Sequence, residues 1–224
     1  MDSETKELPH TPKIEDLSGG YVELANRDSV LVSAEALGVD QWREMIDATQ
    51  KDFRERGLVV SRKRKGTLVR SKVFIGEGED AEIEIRAPIS HELKSLIPGR
   101  QNLVFIHTHA MTPKDDHLRT SSFSDDDIQK FLTSDYKALV MLCRGGAHFL
   151  VPTSGFPRAH QSLDKDLVMS VVENVKKNSG RTWDIVKGVS KKLAQRGFGY
   201  FYTPELDHTG KDSVRFYNPE NFQA

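Results

Sequence analysis

The chain has 224 residues, 37% hydrophobic and 29% charged, and its 32 basic and 33 acidic side chains leave a net charge of −1. That length allows one large domain, or a domain with an appendage. The near-neutral balance offers no general attraction to nucleic acid or to an anionic membrane, and no apolar run is long enough to cross a bilayer.

In chain order, residues 1–19, with Pro9, Pro12 and Gly19, read as a flexible lead. The polar, acidic start lacks the apolar centre of a secretory leader, so a cytoplasmic protein is expected. Ser29-Val30-Leu31-Val32-Ser33 predicts a first strand. Asp40 predicts the N-cap of a helix reaching about Arg54, with Trp42, Met45, Ile46 and Phe53 as its apolar stripe. Leu58-Val59-Val60 predicts a short strand. The basic run Arg62-Lys63-Arg64-Lys65 is most simply a solvated hairpin tip, and a nucleic-acid patch is the sharper alternative. Residues 68–75 predict a continuous strand, and residues 82–86 alternate strictly; with 58–60 these segments suggest an antiparallel meander. A short amphipathic turn over 92–97 is stopped by Pro98-Gly99.

The chemistry concentrates in the next stretch. Leu103-Val104-Phe105-Ile106 is an unbroken apolar run of strand length, and it leads into His107-Thr108-His109. Side chains at i and i+2 leave a strand on the same face, so two imidazoles at the end of a buried strand can grip one metal ion. A lone histidine on an apolar strand is more often a core residue; a pair at this spacing is less often accidental. Further on, Ser124 and Asp127 stand where a new helix should start. Ser-x-x-Asp before an apolar residue is also a helix capping box, and the two roles are compatible. Asp127 could add an oxygen ligand. Two histidines and one carboxylate, with the fourth position left to water, compose a catalytic zinc site. Ser122 and Asp125 offer a second register of the same pattern; Asp127 is preferred because Ile128 and Phe131 follow it on the apolar face.

Ala138 to Cys143 predicts a buried strand, Gly145-Gly146 a turn, and Ala147 to Val151 the returning strand. The single cysteine, Cys143, cannot form an internal disulfide and reads as a small buried hydrophobe. Residues 163–177 and then Trp183 to Leu193 predict two helices. Gly199-Tyr200-Phe201-Tyr202 and Val214-Arg215-Phe216-Tyr217 predict a closing β-ribbon. His148 reads as core or surface, and His91, His160 and His208 carry no signal. The expected class is α/β: a mixed, mainly antiparallel sheet flanked by helices, with a C-terminal helical and ribbon extension. The expected division is a lead over 1–19, a main domain over 20–157 and an extension over 158–224.

His107-x-His109, the Ser124-x-x-Asp127 motif and an upstream glutamate resemble the JAMM (MPN+, JAB-domain) zinc metalloproteases, over roughly residues 41–152. Glu55-Arg56-Gly57-Leu58-Val59-Val60 is similar to the family's glutamate near an apolar strand opening with a glycine. The resemblance implies a cytidine-deaminase-like JAB core and one Zn²⁺ held by His107, His109 and Asp127. It further implies Glu55 as general base and Ser124 as donor to the oxyanion. The implied partners are ubiquitin or ubiquitin-like proteins, whose C-terminal isopeptide or peptide bonds the family hydrolyses. Glu44 and Glu35 are weaker rivals for the base. One departure is plain: fourteen residues separate His109 from Ser124, about twice the family's usual gap. The extra stretch, residues 111–122, is expected beside the site, with His117 as a possible regulatory ligand among Asp115 and Asp116. Two alternatives are a non-catalytic MPN scaffold and a nucleic-acid-associated, RadC-like member.

Overall fold

The computed structural model describes residues 28–62, 67–76, 101–109, 123–132, 136–152, 182–195, 198–208 and 210–221. The lead expected over 1–19, the strand over 82–86, the turn over 92–97, the helix over 163–177, the basic residues 63–65, the stretch 111–122 with His117, and His91 and His160 lie outside them.

The elements are β1 (Ser29–Ser33), α1 (Ala34–Leu37), α2 (Trp42–Asp52), β2 (Arg56–Arg62), β3 (Leu68–Arg70), β4 (Phe74–Ile75), β5 (Gln101–Thr108), α3 (Asp125–Leu132), β6 (Ala138–Cys143), β7 (Gly146–Pro152), α4 (Thr182–Ala194), β8 (Phe198–Thr203) and β9 (Ser213–Tyr217). The strands form one sheet in the order β1-β9-β8-β7-β6-β5-β2-β3, with β4 also beside β2. Its pairs are antiparallel except β5 with β6. A parallel pair needs a crossover connection, and α3 lies on that crossover. The class is mixed α/β with a mainly antiparallel sheet.

Period-two alternation assigns the two faces of the sheet. Ala138, Val140 and Leu142 of β6, with Val104 and Ile106 of β5, join one core with Leu37, Trp42, Met45 and Ile46 from α1 and α2. Leu139, Met141 and Cys143, with Phe105, join a second core with Ile128 and Phe131 of α3 and Val186, Val189 and Leu193 of α4. Helices thus cover both faces, which is why every residue of β6 is buried. No helix among the described residues is long and apolar enough to cross a membrane.

Three local expectations are corrected. Asp40 does not cap α2. It lies in a 3-10 turn, Val39–Gln41, that follows the left-handed Gly38, and its carboxylate pairs with Arg70. Residues 68–75 are not one strand, because Ser71 interrupts the ladder: its Oγ accepts the Val59 N–H at 3.0 Å, where a backbone carbonyl would serve in a regular sheet. The closing strands are neighbours, as expected, but they do not form a free-standing ribbon. β8 pairs along its length with β7, and β9 with β1, so both continue the main sheet. The β6–β7 turn falls where Gly145-Gly146 places it. Gly146 has φ 150°, and a Cβ there would stand 2.3 Å from the Thr203 carbonyl oxygen.

Candidate metal centre

His107 lies on β5 between Gly57 of β2 and Met141 of β6. The glycine opposite it places no side chain beside the ring. His109 follows the last residue of β5 and is held in line because its N–H donates to the Leu142 carbonyl at 3.0 Å. The alternation of β5 therefore continues through both histidines. Their Nε2 atoms stand 3.0 Å apart. The His107 ring stacks on Phe105, centroids 5.6 Å apart and planes 18° from parallel. Its Nδ1 is buried and meets no hydrogen-bond partner among the described residues. Packing orients this ring, and Nε2 is the nitrogen aimed at the site.

Asp127 is delivered by α3. Ser124 precedes the helix, and the capping box is complete. The Asp127 N–H donates to Ser124 Oγ at 3.1 Å, and the Ser124 N–H donates to Asp127 Oδ2 at 2.8 Å. The Ser124 hydroxyl also donates to Oδ2 at 2.7 Å. Ile128 and Phe131, both buried, seat the helix on the sheet. Asp127 then faces inward while Asp126 is exposed, as the 100° step of a helix requires. Asp127 Oδ1 lies 3.1 Å from His107 Nε2, and Oδ2 lies 3.1 Å from His109 Nε2. Burial alone would raise this carboxyl's pKa. The charge and hydrogen bonds of His107 and His109 overcome burial and hold it well below the usual carboxylate range.

The three residues could hold a metal ion, since one ligand atom from each lies within 4.8 Å of the others. A tetrahedral ion with bonds of about 2.0–2.1 Å keeps its ligand atoms roughly 3.3 Å apart. The two nitrogens stand 3.0 Å apart and each has its own carboxylate oxygen at 3.1 Å; a single oxygen serving both stays within the 4.8 Å limit of the group.

Glu55 joins the same side of the sheet. It precedes β2, and by alternation it shares a face with Gly57 and Val59. Its Oε1 is 3.8 Å from His109 Nε2, too long for a direct hydrogen bond. The side chain is 19% exposed, against 3% for His107. The rivals Glu35 and Glu44 are exposed on α1 and α2. The side chain of Asp125, and all of Ser122, lie outside the described residues.

Two groups of residues escaped the sequence. One is a network under Glu55 in which the buried Thr49, Arg56 and Thr108 are joined by the exposed Asp52. The other is His148, whose Nδ1 is hydrogen-bonded to Tyr200 Oη at 2.6 Å, with Phe123 edge-on to its ring. Burial, then the charge of His109, pushes the His148 imidazole down to about 3. His208 is buried against Trp42, its Nε2 2.8 Å from the Glu205 carbonyl oxygen. Cys143 is a free, buried thiol, and burial pushes its pKa up, as suits an inert residue. No family model, no curated protein and no solved structure matches the chain.

Proposed function

We propose that the protein is a zinc-dependent peptidase of the JAMM type, built on a JAB/MPN core. In this reading it cleaves the isopeptide or peptide bond that follows the C-terminal tail of ubiquitin or a ubiquitin-like protein. The observation that carries the proposal is the convergence of His107 Nε2, His109 Nε2 and the Asp127 carboxylate, with Glu55 beside His109. Two nitrogens and one oxygen form the donor set of a catalytic rather than a structural zinc site. Held by His107, His109 and Asp127, a zinc ion would lower the pKa of a bound water towards neutrality and polarise the scissile carbonyl.

The chain's own residues supply the rest. Glu55 takes the proton of the attacking water and returns it to the leaving amine. Its backbone carbonyl accepts the Gly76 N–H at 2.9 Å, which fixes the turn that presents it. Ser124 is the donor assigned to the developing oxyanion. Its hydroxyl donates to Asp127 Oδ2. No acyl-enzyme is required, which agrees with the inert setting of Cys143.

The test is metal content by elemental analysis, joined to cleavage of a ubiquitin-like fusion with a Gly-Gly tail. About one zinc per chain is expected, with cleavage after the tail and loss of cleavage when both glycines are made bulky. Metal-loaded protein that cleaves neither fusion would refute the reading. Tight, salt-sensitive DNA binding by the same preparation would favour the nucleic-acid-associated alternative.

A further inference from the structure

The residue between the two histidines faces away from the metal centre. Thr108 lies on the α2 side of the sheet by alternation and is fully buried, as is Thr49 of α2. Their hydroxyls are hydrogen-bonded at 2.7 Å. The β2–β5 ladder ends at the pair Gly57↔His107. Just beyond it, the Arg56 N–H donates to Thr108 Oγ1 at 2.8 Å. A side-chain hydroxyl of the ligand strand therefore holds the backbone of the residue next to Glu55.

The Arg56 side chain closes the other side. Its guanidinium is almost wholly buried. Nη1 donates to Asp52 Oδ1 at 2.8 Å and to the Arg54 carbonyl at 2.6 Å, and Nη2 donates to Asp52 Oδ2 at 2.7 Å. Nη1 also reaches Thr49 Oγ1 at 3.3 Å. Arg54 in turn donates through Nε and Nη2 to the Gly76 carbonyl. The turn over residues 52–56 is thus tied to helix α2, to β4 and to Thr108. The last of these ties runs to the strand that carries His107 and leads into His109.

The geometry points to Thr108 as a positioning residue that sets where the Glu55 carboxylate stands relative to the histidine pair. This rests on the reading of Glu55 as general base given above. A hydroxyl serving only to satisfy buried donors would affect stability and nothing else. A positioning hydroxyl affects what Glu55 can reach while the metal ligands stay intact. Misplacement of a reacting group by about 1 Å can lower the rate roughly 100-fold.

The test compares wild type with Thr108→Val, Thr108→Ser and Glu55→Gln, each loaded with cobalt(II). Cobalt affinity is read from the visible spectrum. Acetohydroxamate affinity is read by calorimetry, because a metal-chelating hydroxamate also hydrogen-bonds to a carboxylate placed where a base must stand. Cobalt affinity should be alike in all four. Acetohydroxamate should bind about tenfold more weakly to Thr108→Val and Glu55→Gln, a loss that one hydrogen bond to a charged group can produce. Thr108→Ser should keep wild-type affinity. With the Gly-Gly fusion, Thr108→Val should lower kcat and leave KM unchanged. If Thr108→Val does not fold, Thr49→Val removes the hydroxyl's partner and should shift hydroxamate binding the same way, by less. A loss in Glu55→Gln without one in the threonine variants overturns the positioning role alone. Equal hydroxamate affinity in wild type and Glu55→Gln overturns the base and the positioning role together.

Discussion

Removing the charge of Asp127 should separate metal binding from folding. Each carboxylate oxygen faces one imidazole at 3.1 Å, and Oδ2 also receives the Ser124 N–H and hydroxyl. In Asp127→Asn the amide oxygen can still accept from Ser124, so the helix cap survives, while losing the carboxylate's contacts with the two imidazoles costs the protein without metal about 1.5–3 kcal/mol. The metal-bound protein should lose more. An ion present at 1,000 times its Kd stabilises the native state by about 4.1 kcal/mol. For a chain of this length that raises Tm by roughly 8–16 °C, at about 2–4 °C per kcal/mol. Outer partners of metal ligands already cost about 10–100-fold in affinity when changed, and a direct, charged ligand should cost at least the upper figure. The same free ion would then stand at no more than about 10 times Kd, worth roughly 1.4 kcal/mol, and the rise would shrink to about 3–6 °C. Scanning calorimetry in chelator-buffered zinc measures this directly, with the exposed Asp126→Asn as control. An undiminished rise in Asp127→Asn, or the same loss in Asp126→Asn, would refute the ligand assignment.

Three further outcomes are expected. Glu55→Gln should retain one metal per chain while hydrolysis of a Gly-Gly fusion falls about 10²–10⁴-fold; turnover within threefold of wild type, measured with metal content matched, would place the base elsewhere. Gly146→Ala should destabilise by about 3 kcal/mol in urea titrations, because its Cβ would sit 2.3 Å from the Thr203 carbonyl oxygen and 2.7 Å from the Tyr202 ring at a positive φ; a change under about 0.5 kcal/mol would contradict the packing of that turn. His148 stays neutral in the folded, metal-free protein down to about pH 3, whereas in the unfolded chain it protonates near pH 6.5. It therefore contributes stability fully above about pH 6.5 and loses it as the pH falls towards 3, by up to about 1.4 kcal/mol per unit. In His148→Asn, which keeps a partner for Tyr200, urea stability should fall less steeply over that range, and an identical slope would exclude the effect.

What was legible in the sequence is what local geometry determines. His107 and His109 share a face because strand alternation is independent of the rest of the fold. Ser124 and Asp127 meet because a capping box closes within four residues. The unbroken run from Ala138 to Cys143 announced a strand buried on both faces, and that is what it forms. The illegible parts depend on partners distant in sequence. Ser29 pairs with Tyr217 at the far edge of the sheet, and no local pattern specifies that register. The Arg56 N–H finds a hydroxyl 52 residues away. Ser71 keeps the alternation of a strand, yet its hydroxyl competes with the ladder, so periodicity alone mistook the segment. His148 had no local signature because its meaning lies in Tyr200, three residues into a strand that only the fold brings alongside.

The capping box also bears on how the candidate centre works. As a structural motif it would be sufficient reason for Ser124 and Asp127 to occur together, and as a ligand Asp127 needs no cap. Their combination fixes the carboxylate before any ion arrives. Asp127 Oδ2 is held by two donors from Ser124, and α3 is seated by Ile128 and Phe131. On the strand side, the Phe105 stack holds one ring and the Leu142 carbonyl holds the backbone of the other. Side chains held in this way lose little further freedom on gripping an ion, so less of the binding free energy is offset by ordering them. The two imidazoles already hold the buried Asp127 carboxyl well below the usual carboxylate range, and a divalent cation among the same three groups would act on that carboxylate in the same direction.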